Sequence, residues 1–350
     1  MLIIDAHLDI AYNALEWNRD LCQSIPQIRE SEAGMAQKGR GLNVLNFKEL
    51  RRGEIGLVFA VIQCRVSSQG KRFSGVRNQD IAYARCQGHL AYYRHMEAKG
   101  VLRQIRDRKG LDAHLQRWET DPQVPQGYVL AMEGADPIVS PDQVPEWWGQ
   151  GLRVVSLCHY GVSPYAHGTG APGRLTPRGR EMLKALEKAG MILDTSHLAE
   201  KAFWEALDLF QGQVLASHNC CRSLCDDDRQ IDDRQIKALV DRGAVIGTAF
   251  DAWMLSPSWD KEAMDNSGIT FETVADHMDH VCQLAGNARH VAIGSDLDGG
   301  YGKEQCPTDM DTIADLQGIP AILERRGYSS QDIGNIMHAN WSRLIRETWD

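Results

Sequence analysis

The segment IDAHLDI, residues 4–10, contains residue types that bind metal ions. His7 and Asp9 are separated by a single residue, and in a β-strand residues i and i+2 point to the same side. Imidazole and carboxylate groups held side by side suit a metal ion better than they suit an apolar core. Asp5 extends the same alternation. This N-terminal strand is therefore predicted to contribute to a metal site.

Several later apolar runs also end in residues that bind metals or move protons. Each such residue alone has an ordinary explanation, because polar residues commonly end strands. Counting the N-terminal segment, however, six of the apolar runs end in residues that could bind a metal ion or move a proton, which indicates one shared site. The residues at the other five ends are Glu133, His159, His197, His218 and Asp296.

The apolar runs have the length of β-strands and alternate with amphipathic helical patterns, as in residues 176–190, 199–210 and 232–243. This alternation predicts a parallel sheet in an α/β protein, and eight strands predict a (β/α)8 TIM barrel with its active site at the C-terminal strand ends. Residues 66–126 form the largest insertion and are expected to be mostly helical. We expect one domain over residues 1–350. The eight runs are residues 2–7, 56–64, 128–134, 152–159, 190–197, 213–218, 244–250 and 290–296.

Barrel closure makes a specific prediction about which of these residues meet. The eighth strand should lie beside the first, bringing Asp296 to His7 and Asp9, and the fifth and sixth strands should bring His197 and His218 together.

The number of candidate ligands points to two metal ions. A catalytic zinc uses about three protein ligands and a water, so five or six ligands fit two ions about 3.5–4 Å apart that share a carboxylate. Glu133, reaching the centre from the third strand, is the best-placed bridge. Two such ions would share a hydroxide nucleophile; the ligands favour zinc and also admit manganese or cobalt.

Composition excludes several other classes of protein. The chain has 350 residues, 43% of them apolar, and a net charge of -9, which argues against a duplex nucleic-acid partner. No stretch approaches the ~20 apolar residues of a membrane span, and no signal peptide is visible. Nine cysteines without a paired spacing predict reduced thiols. We expect a cytoplasmic protein with no membrane association.

Several motifs in a fixed order resemble the membrane dipeptidase (renal dipeptidase) family, peptidase family M19, among the amidohydrolase-like barrels. The resemblance covers nearly the whole chain. It implies a zinc-dependent dipeptidase that hydrolyses L-Xaa-Xaa dipeptides, including those with a D-residue at the C-terminal position. The motifs include DAHLD (5–9), AMEGAD (131–136), SLCHYG (156–161), the segment 175–197, the segment 216–236 and IGSDLDGG (293–300).

The resemblance also implies a role for each metal-binding residue. His7 and Asp9 match ligands of a first zinc ion, and His197 and His218 match ligands of a second. Glu133 matches the bridging carboxylate. Family analogy further implies a homodimer.

Three residues match the family's substrate-handling groups. Asp296 matches the acid that takes a proton from the nucleophilic water and passes it to the leaving amine. His159 matches the histidine that binds the carbonyl oxygen, and Arg229 matches the arginine that grips the substrate's terminal carboxylate. The alternative for Arg229 is a surface arginine neutralised by the neighbouring residues 226–228.

Two other functions compete with the dipeptidase interpretation. An amidohydrolase could use the same metals on an N-acyl amino acid, a lactam or a small cyclic amide, and a silent barrel could serve only as a binding protein. The chain also departs from the family's pattern around the pocket. Ala135 and Asp136 replace Gly and His of many relatives, and residues 63–65 (QCR) replace a segment richer in aromatics. These departures leave the substrate's side-chain preference open.

Overall fold

The computed structural model describes residues 1–67, 74–121, 123–260, 262 and 264–349. Within these residues, nine β-strands form one sheet. They are β1 (Ile3–Leu8), β2 (Ile55–Gln63), β3 (Leu102–Gln104), β4 (Gln126–Glu133), β5 (Leu152–Ser156), β6 (Ile192–Asp194), β7 (Val214–Asn219), β8 (Ile246–Thr248) and β9 (Val291–Ile293).

Eight of the strands close into a parallel barrel. Strand β1 pairs with β2 and β9, β2 also pairs with β4, and the remaining strands pair in chain order from β4 to β9. This closure confirms the predicted (β/α)8 barrel. Strand β3 stands outside the ring, since it pairs only with the first residues of β4. It lies in the insertion predicted as mostly helical, and three residues are too short a run to leave a periodic signal.

Helices fill the connections between the strands. Thr176 caps one of them by accepting a hydrogen bond from Gly179 N, and Gly190 ends it with a φ of 75°, as the sequence predicted for residues 176–190. The α-helices are α1 (Ile10–Leu15), α2 (Ile25–Ser31), α3 (Phe47–Arg52), α4 (Gln79–Ala98), α5 (Arg108–Thr120), α6 (Val144–Gly149), α7 (Pro177–Ala189), α8 (Glu200–Leu209), α9 (Asp233–Asp241), α10 (Ala252–Leu255), α11 (Phe271–Ala285), α12 (Ile319–Arg325), α13 (Ser330–Gly334) and α14 (Asn340–Thr348). None of the helices in the described part of the chain is long and apolar enough to span a bilayer.

Several strands are shorter than the apolar runs that predicted them. As a result His159, His197 and Asp296 each lie three residues beyond the last residue of β5, β6 and β9. Two buried carboxylates pair with backbone N–H groups where the strands separate. Asp194 Oδ1 accepts from the amides of residues 196 and 217, both at 3.0 Å, and Asp5 Oδ1 accepts from those of residues 295 and 7, at 2.9 and 3.2 Å. The chain can therefore leave the ladder without losing hydrogen bonds.

A compact apolar cluster fills the inside of the barrel. Alternate residues of the strands, such as Leu57, Phe59 and Val61, pack with Trp341 of α14. The Phe59 and Trp341 rings are 5.4 Å apart, and the indole N–H of Trp341 donates to the carbonyl of Ile293 at 2.8 Å. Apolar side chains thus fill the interior of the barrel. The candidate site residues lie beyond this cluster, at the C-terminal end of the strands.

Candidate active site

Four histidines surround one oxygen of Glu133. The Nε2 atoms of His197, His218, His7 and His159 lie 3.1, 3.3, 3.7 and 3.7 Å from Glu133 Oε1. The Nε2 atoms of His197 and His218 are themselves 3.1 Å apart. The predicted meeting of the fifth and sixth barrel strands is confirmed, and Glu133 lies at the centre of the cluster.

Two aspartates extend the cluster toward β1 and β9. Asp296 Oδ1 lies 3.7 Å from His7 Nε2, and ligand atoms of His7, Asp9 and Asp296 all lie within 4.8 Å of one another. This confirms the predicted contact of the first and last barrel strands. Asp5 has a different role from its alternate neighbours, because its carboxylate accepts from backbone amides. The β1–β2 register shifts between Asp5 and Leu8, and such an irregularity re-aims the side chains that follow it.

Two site residues adopt backbone conformations that L-amino acids rarely adopt. The φ angles of His197 and Asp296 are 67° and 60°, in the left-handed region, where non-glycine residues cost of order 1 kcal/mol or more. These conformations turn the chain sharply after β6 and β9. The surrounding packing must hold both residues in place against this cost.

The histidines are in the neutral form that binds metals. Burial lowers the pKa of His7 to about 3 and the pKa values of His159 and His218 to about 4. Burial alone would raise the pKa of Glu133, but Coulomb attraction to the histidines in their protonated forms, first of all His159, lowers it well below its usual value. Burial, and then the Glu133 charge, raise the pKa of Asp296 well above its usual range.

The hydrogen bonds of His218 define which of its nitrogens carries the proton. The Ser217 hydroxyl lies 2.5 Å from Asp194 Oδ2, an acceptor, so the hydroxyl proton is donated there. Ser217 Oγ therefore accepts from His218 Nδ1 at 2.8 Å, which places the proton on Nδ1. The Nε2 lone pair of His218 faces Glu133, as a metal ligand requires.

His159 has the opposite arrangement. Its Nδ1 lies 3.0 Å from Arg65 Nη1, and a guanidinium can only donate. The proton of the neutral ring is therefore on Nε2, which faces the cluster. His159 can donate a hydrogen bond to an oxygen at the centre, whereas His218 can only accept or bind a cation.

The cluster fits a bound cation. The bare Nε2 of His218 and the Glu133 carboxylate are both acceptors within 3.3 Å of each other. Among the described residues, His7 Nε2 and Asp9 Oδ1 are buried without a hydrogen-bond partner, an arrangement that costs about 1–3 kcal/mol per group unless a ligand satisfies it. Two groups of potential ligands share Glu133, one with His7 and His218 and the other with His197 beside His159. Because its Nε2 carries the proton, His159 borders the second group without offering a lone pair.

Arg229 is buried beside this cluster, with 3% of its surface exposed. Its Nη2 donates to the carbonyl of His218 at 2.7 Å, and its backbone amide donates to Asp227 Oδ1 at 2.8 Å. Its Nε is buried and has no hydrogen-bond partner in the described chain. With the described residues, the Arg229 guanidinium forms no ion pair within 4.0 Å. The alternative of a surface arginine neutralised by residues 226–228 is therefore not supported.

The residues that orient the histidines were largely missed from the sequence. Arg65 was noted only as a departure from the family's pattern, and Thr169, whose hydroxyl lies 3.0 Å from His197 Nδ1, was part of a glycine-rich loop. Ser217 carried a usable signal, since a serine immediately precedes both His197 and His218. Asp194, the last residue of β6, accepts from the Ser217 hydroxyl and so fixes the serine that orients His218.

The fold and the site together define a (β/α)8-barrel protein with a candidate metal centre of histidines and carboxylates. The model of the membrane dipeptidase family, peptidase family M19, matches residues 1–350. The chain belongs to this family. Cysteines take no part in the groups of potential metal ligands in the described residues, and all nine cysteines are free thiols.

Individual relatives agree with the family match. The chain is 30% identical over 213 residues to the dipeptidase tcpJ of Claviceps purpurea and 28% identical over 222 residues to the dipeptidase verJ of Clonostachys rogersoniana. These alignments cover 57% and 62% of this chain and 45% and 54% of the relatives, so the chain spans about half of their length.

Solved structures share the fold across the whole chain. A metallopeptidase from Rhodobacter sphaeroides, liganded with a phosphinate mimic of the dipeptide L-Ala-D-Ala, superposes with a TM-score of 0.78 at 21% identity, covering 100% of this chain and 99% of that one. A dipeptidase AC of family M19 gives the same values.

Proposed function

We propose that this protein is a metal-dependent dipeptidase that hydrolyses the peptide bond of dipeptides with a binuclear zinc centre. The proposal depends on one observation above all. A buried arginine with an unsatisfied N–H group lies beside a cluster of neutral histidines and carboxylates. Such a site offers one place for a substrate carboxylate and another for metal ions. Family membership supports the same reaction.

In this proposal His7 and Asp9 would hold the first ion, His197 and His218 would hold the second, and Glu133 would serve both. The ions, when bound, would activate a water molecule and polarise the scissile carbonyl. Zinc is favoured by the imidazole and carboxylate donors.

Three side chains act on the substrate. Asp296 takes a proton as the water attacks and gives it to the leaving amine. Its carboxylate lies at the edge of the cluster, with 16% of its side chain exposed. His159 donates from Nε2–H to the carbonyl oxygen as negative charge develops there. Arg229 binds the C-terminal carboxylate, which sets the substrate length.

A second candidate function keeps the metal centre and changes the substrate. An amidohydrolase of N-acyl amino acids would also employ Arg229, whereas a hydrolase of lactams or cyclic amides without a free carboxylate would leave it without a partner. The buried Nε of Arg229 favours a substrate that carries a carboxylate. Free-acid dipeptides, N-acetyl amino acids and simple lactams compared on one enzyme preparation separate these candidates.

The decisive experiment compares free-acid and C-terminally amidated dipeptides. We expect amidated dipeptides to be poor substrates of the wild type. Arg229→Met should reduce kcat/KM for free-acid dipeptides by ~10²-fold or more, since a desolvated charge pair contributes several kcal/mol and each decade is ~1.4 kcal/mol. Hydrolysis of the amidated dipeptides should hardly respond to this substitution.

Arg234→Met provides the matched control. Arg234 lies in the same segment but is exposed and pairs with Glu200 at 3.0 Å on the surface, so its loss should leave kcat/KM near the wild-type value. Equal wild-type rates on free-acid and amidated dipeptides would reject the dipeptidase and favour the general amidohydrolase.

A further inference from the structure

A cavity of about 550 Å³ opens beside His159, at the C-terminal end of the barrel. His159, to which the proposed function assigns the carbonyl oxygen, forms part of its wall, so the cavity borders the reacting centre. Arg229, the proposed partner of the C-terminal carboxylate, is not among the described lining residues of this cavity. The described lining residues include Tyr12, Gln63, Arg65, Val76, Arg85 and Tyr160.

The charge of this cavity is opposite to that of the whole molecule. The chain has a net charge of -9, yet Arg65 and Arg85 line the cavity and no aspartate or glutamate is among its described lining residues. Burial lowers the pKa of Arg65, and the nearby Glu133 and Asp136 charges oppose that shift. An anion entering the cavity would meet two guanidinium groups in its wall.

Each arginine also has contacts that hold it in place. Arg65 donates from Nε to the carbonyl of Ser74 at 2.8 Å and from Nη1 to His159. Arg85 lies 3.3 Å from Glu16, with 46% of its side chain exposed. Because guanidinium groups bind carboxylates through several N–H donors, these contacts position the two cations and still leave donors for a ligand on Arg85.

We propose that this cavity is a side-chain subsite for a carboxylate, so that the preferred substrates are dipeptides containing glutamate or aspartate. This inference rests on the proposed dipeptidase function and names its substrate class. Arg229 takes the main-chain carboxylate, while Arg85 donates to the side-chain carboxylate and Arg65 adds a second positive charge to the wall. Gln63, Arg65 and Arg85 form a polar side of the wall that could contact a side-chain carboxylate.

The test compares substrates that differ only in one acid or amide group. Ala-Glu is compared with Ala-Gln, and Glu-Ala with Gln-Ala, on the metal-loaded wild-type protein. We expect kcat/KM to favour the acid by ~10-fold or more in one of the two pairs, which also identifies the dipeptide position that faces the cavity. The pairs match in size, so the ratio reports charge.

Two variants should move the acid-to-amide ratio in opposite directions. Arg85→Met removes a cation and should lower the ratio by ~10-fold. Glu16→Gln removes the carboxylate that competes for Arg85 and should raise it. The control Arg346→Met removes a similarly exposed arginine, 2.7 Å from Asp112 on another face, and should leave the ratio unchanged.

The outcomes separate this inference from the function on which it rests. Hydrolysis of acid and amide substrates at equal rates in both pairs would overturn the subsite and leave the dipeptidase function standing. A shift of the ratio in the same direction by Arg85→Met and Glu16→Gln would also overturn the subsite. Failure to hydrolyse any of the four dipeptides, with metal bound, would overturn the proposed function together with the inference.

Discussion

At the scale of single residues, hydrogen-bond partners distinguish histidines that look alike in the sequence. Ser217 and Asp194 place the proton of His218 on Nδ1 and leave Nε2 bare. Arg65 places the proton of His159 on Nε2. One ring is thereby prepared to bind a cation and the other to donate a hydrogen bond, at nearly equal distances from Glu133.

The orientation of His218 can be tested through metal affinity. Ser217→Ala removes the acceptor for His218 Nδ1–H, and loss of such a partner typically weakens metal binding by ~10–100-fold. Competition with a chromophoric chelator measures the affinity without relying on activity. Ser342→Ala is the control, since Ser342 is also buried but donates to the carbonyl of His338, away from the site. Unchanged affinity in Ser217→Ala would contradict the assigned proton position.

The proton-transfer role proposed for Asp296 makes a separate prediction. Asp296→Asn should keep the fold and the metal while lowering kcat by at least ~10²-fold, as expected for the loss of an acid/base group. Steady-state kinetics and elemental analysis on the same sample check both parts. Asp208→Asn on α8, at an exposed position, is the control. A rise in KM with kcat preserved would mean that Asp296 only binds substrate.

At the scale of secondary-structure elements, buried polar contacts connect the N-terminal segment to the loop after β9. Arg19, whose side chain is fully buried, contacts Glu32 at 2.8 Å and donates to Asn13 at 2.7 Å. Asn13 donates to the main-chain carbonyls of Asp9 and Asp298 at 3.0 and 2.9 Å. The position of Asp9 therefore depends on residues outside the barrel strands.

Removing Arg19 should destabilise the fold strongly. Arg19→Met leaves the buried Glu32 carboxylate without this partner, and breaking a buried pair from one side costs about 3–5 kcal/mol. Arg19→Lys keeps the charge but cannot form the bidentate contact with Glu32. Its free energy of unfolding should therefore fall by less than that of Arg19→Met. Urea unfolding measures both variants.

The control for this experiment is an exposed ion pair. Arg52 lies 2.6 Å from Glu49 with 59% of its side chain exposed, so Arg52→Met should cost less than about 1 kcal/mol. Equal losses of unfolding free energy in Arg19→Met and Arg52→Met would contradict a larger contribution from the buried Arg19–Glu32 pair.

At the scale of the whole molecule, the candidate metal ligands outnumber those that one ion uses. We expect about two divalent ions per chain, and His218→Ala should remove mainly one of them. Elemental analysis after equilibration with excess zinc and gel filtration measures the content. A single tightly bound ion at saturation would contradict the bridged centre. A single domain over residues 1–350, a homodimer and a cytoplasmic location stay predictions.

Metal removal should also lower the stability of the whole protein. An ion that binds only the folded chain stabilises it by about 2.7 kcal/mol at a free concentration one hundred times its Kd. Thermal unfolding should therefore occur at lower temperature after chelation and recover when zinc is restored. Identical melting temperatures with and without chelator would argue against a metal bound within the folded cluster.

The sequence by itself determined the barrel, the order of its strands and the residues that meet at its centre. These follow from patterns that repeat along the chain, and parallel strands that close into a ring must bring their C-terminal ends together. Strand lengths were less predictable, because the apolar runs continue beyond the last paired residues of the strands. There the carboxylates of Asp5 and Asp194 accept hydrogen bonds from backbone amides in place of a neighbouring strand. Only the tertiary structure decided the proton positions of His159 and His218, since their partners Arg65 and Ser217 act through distances of about 3 Å. Arg65 is separated from His159 by more than ninety residues, and contacts of that kind leave no periodic trace in a single sequence.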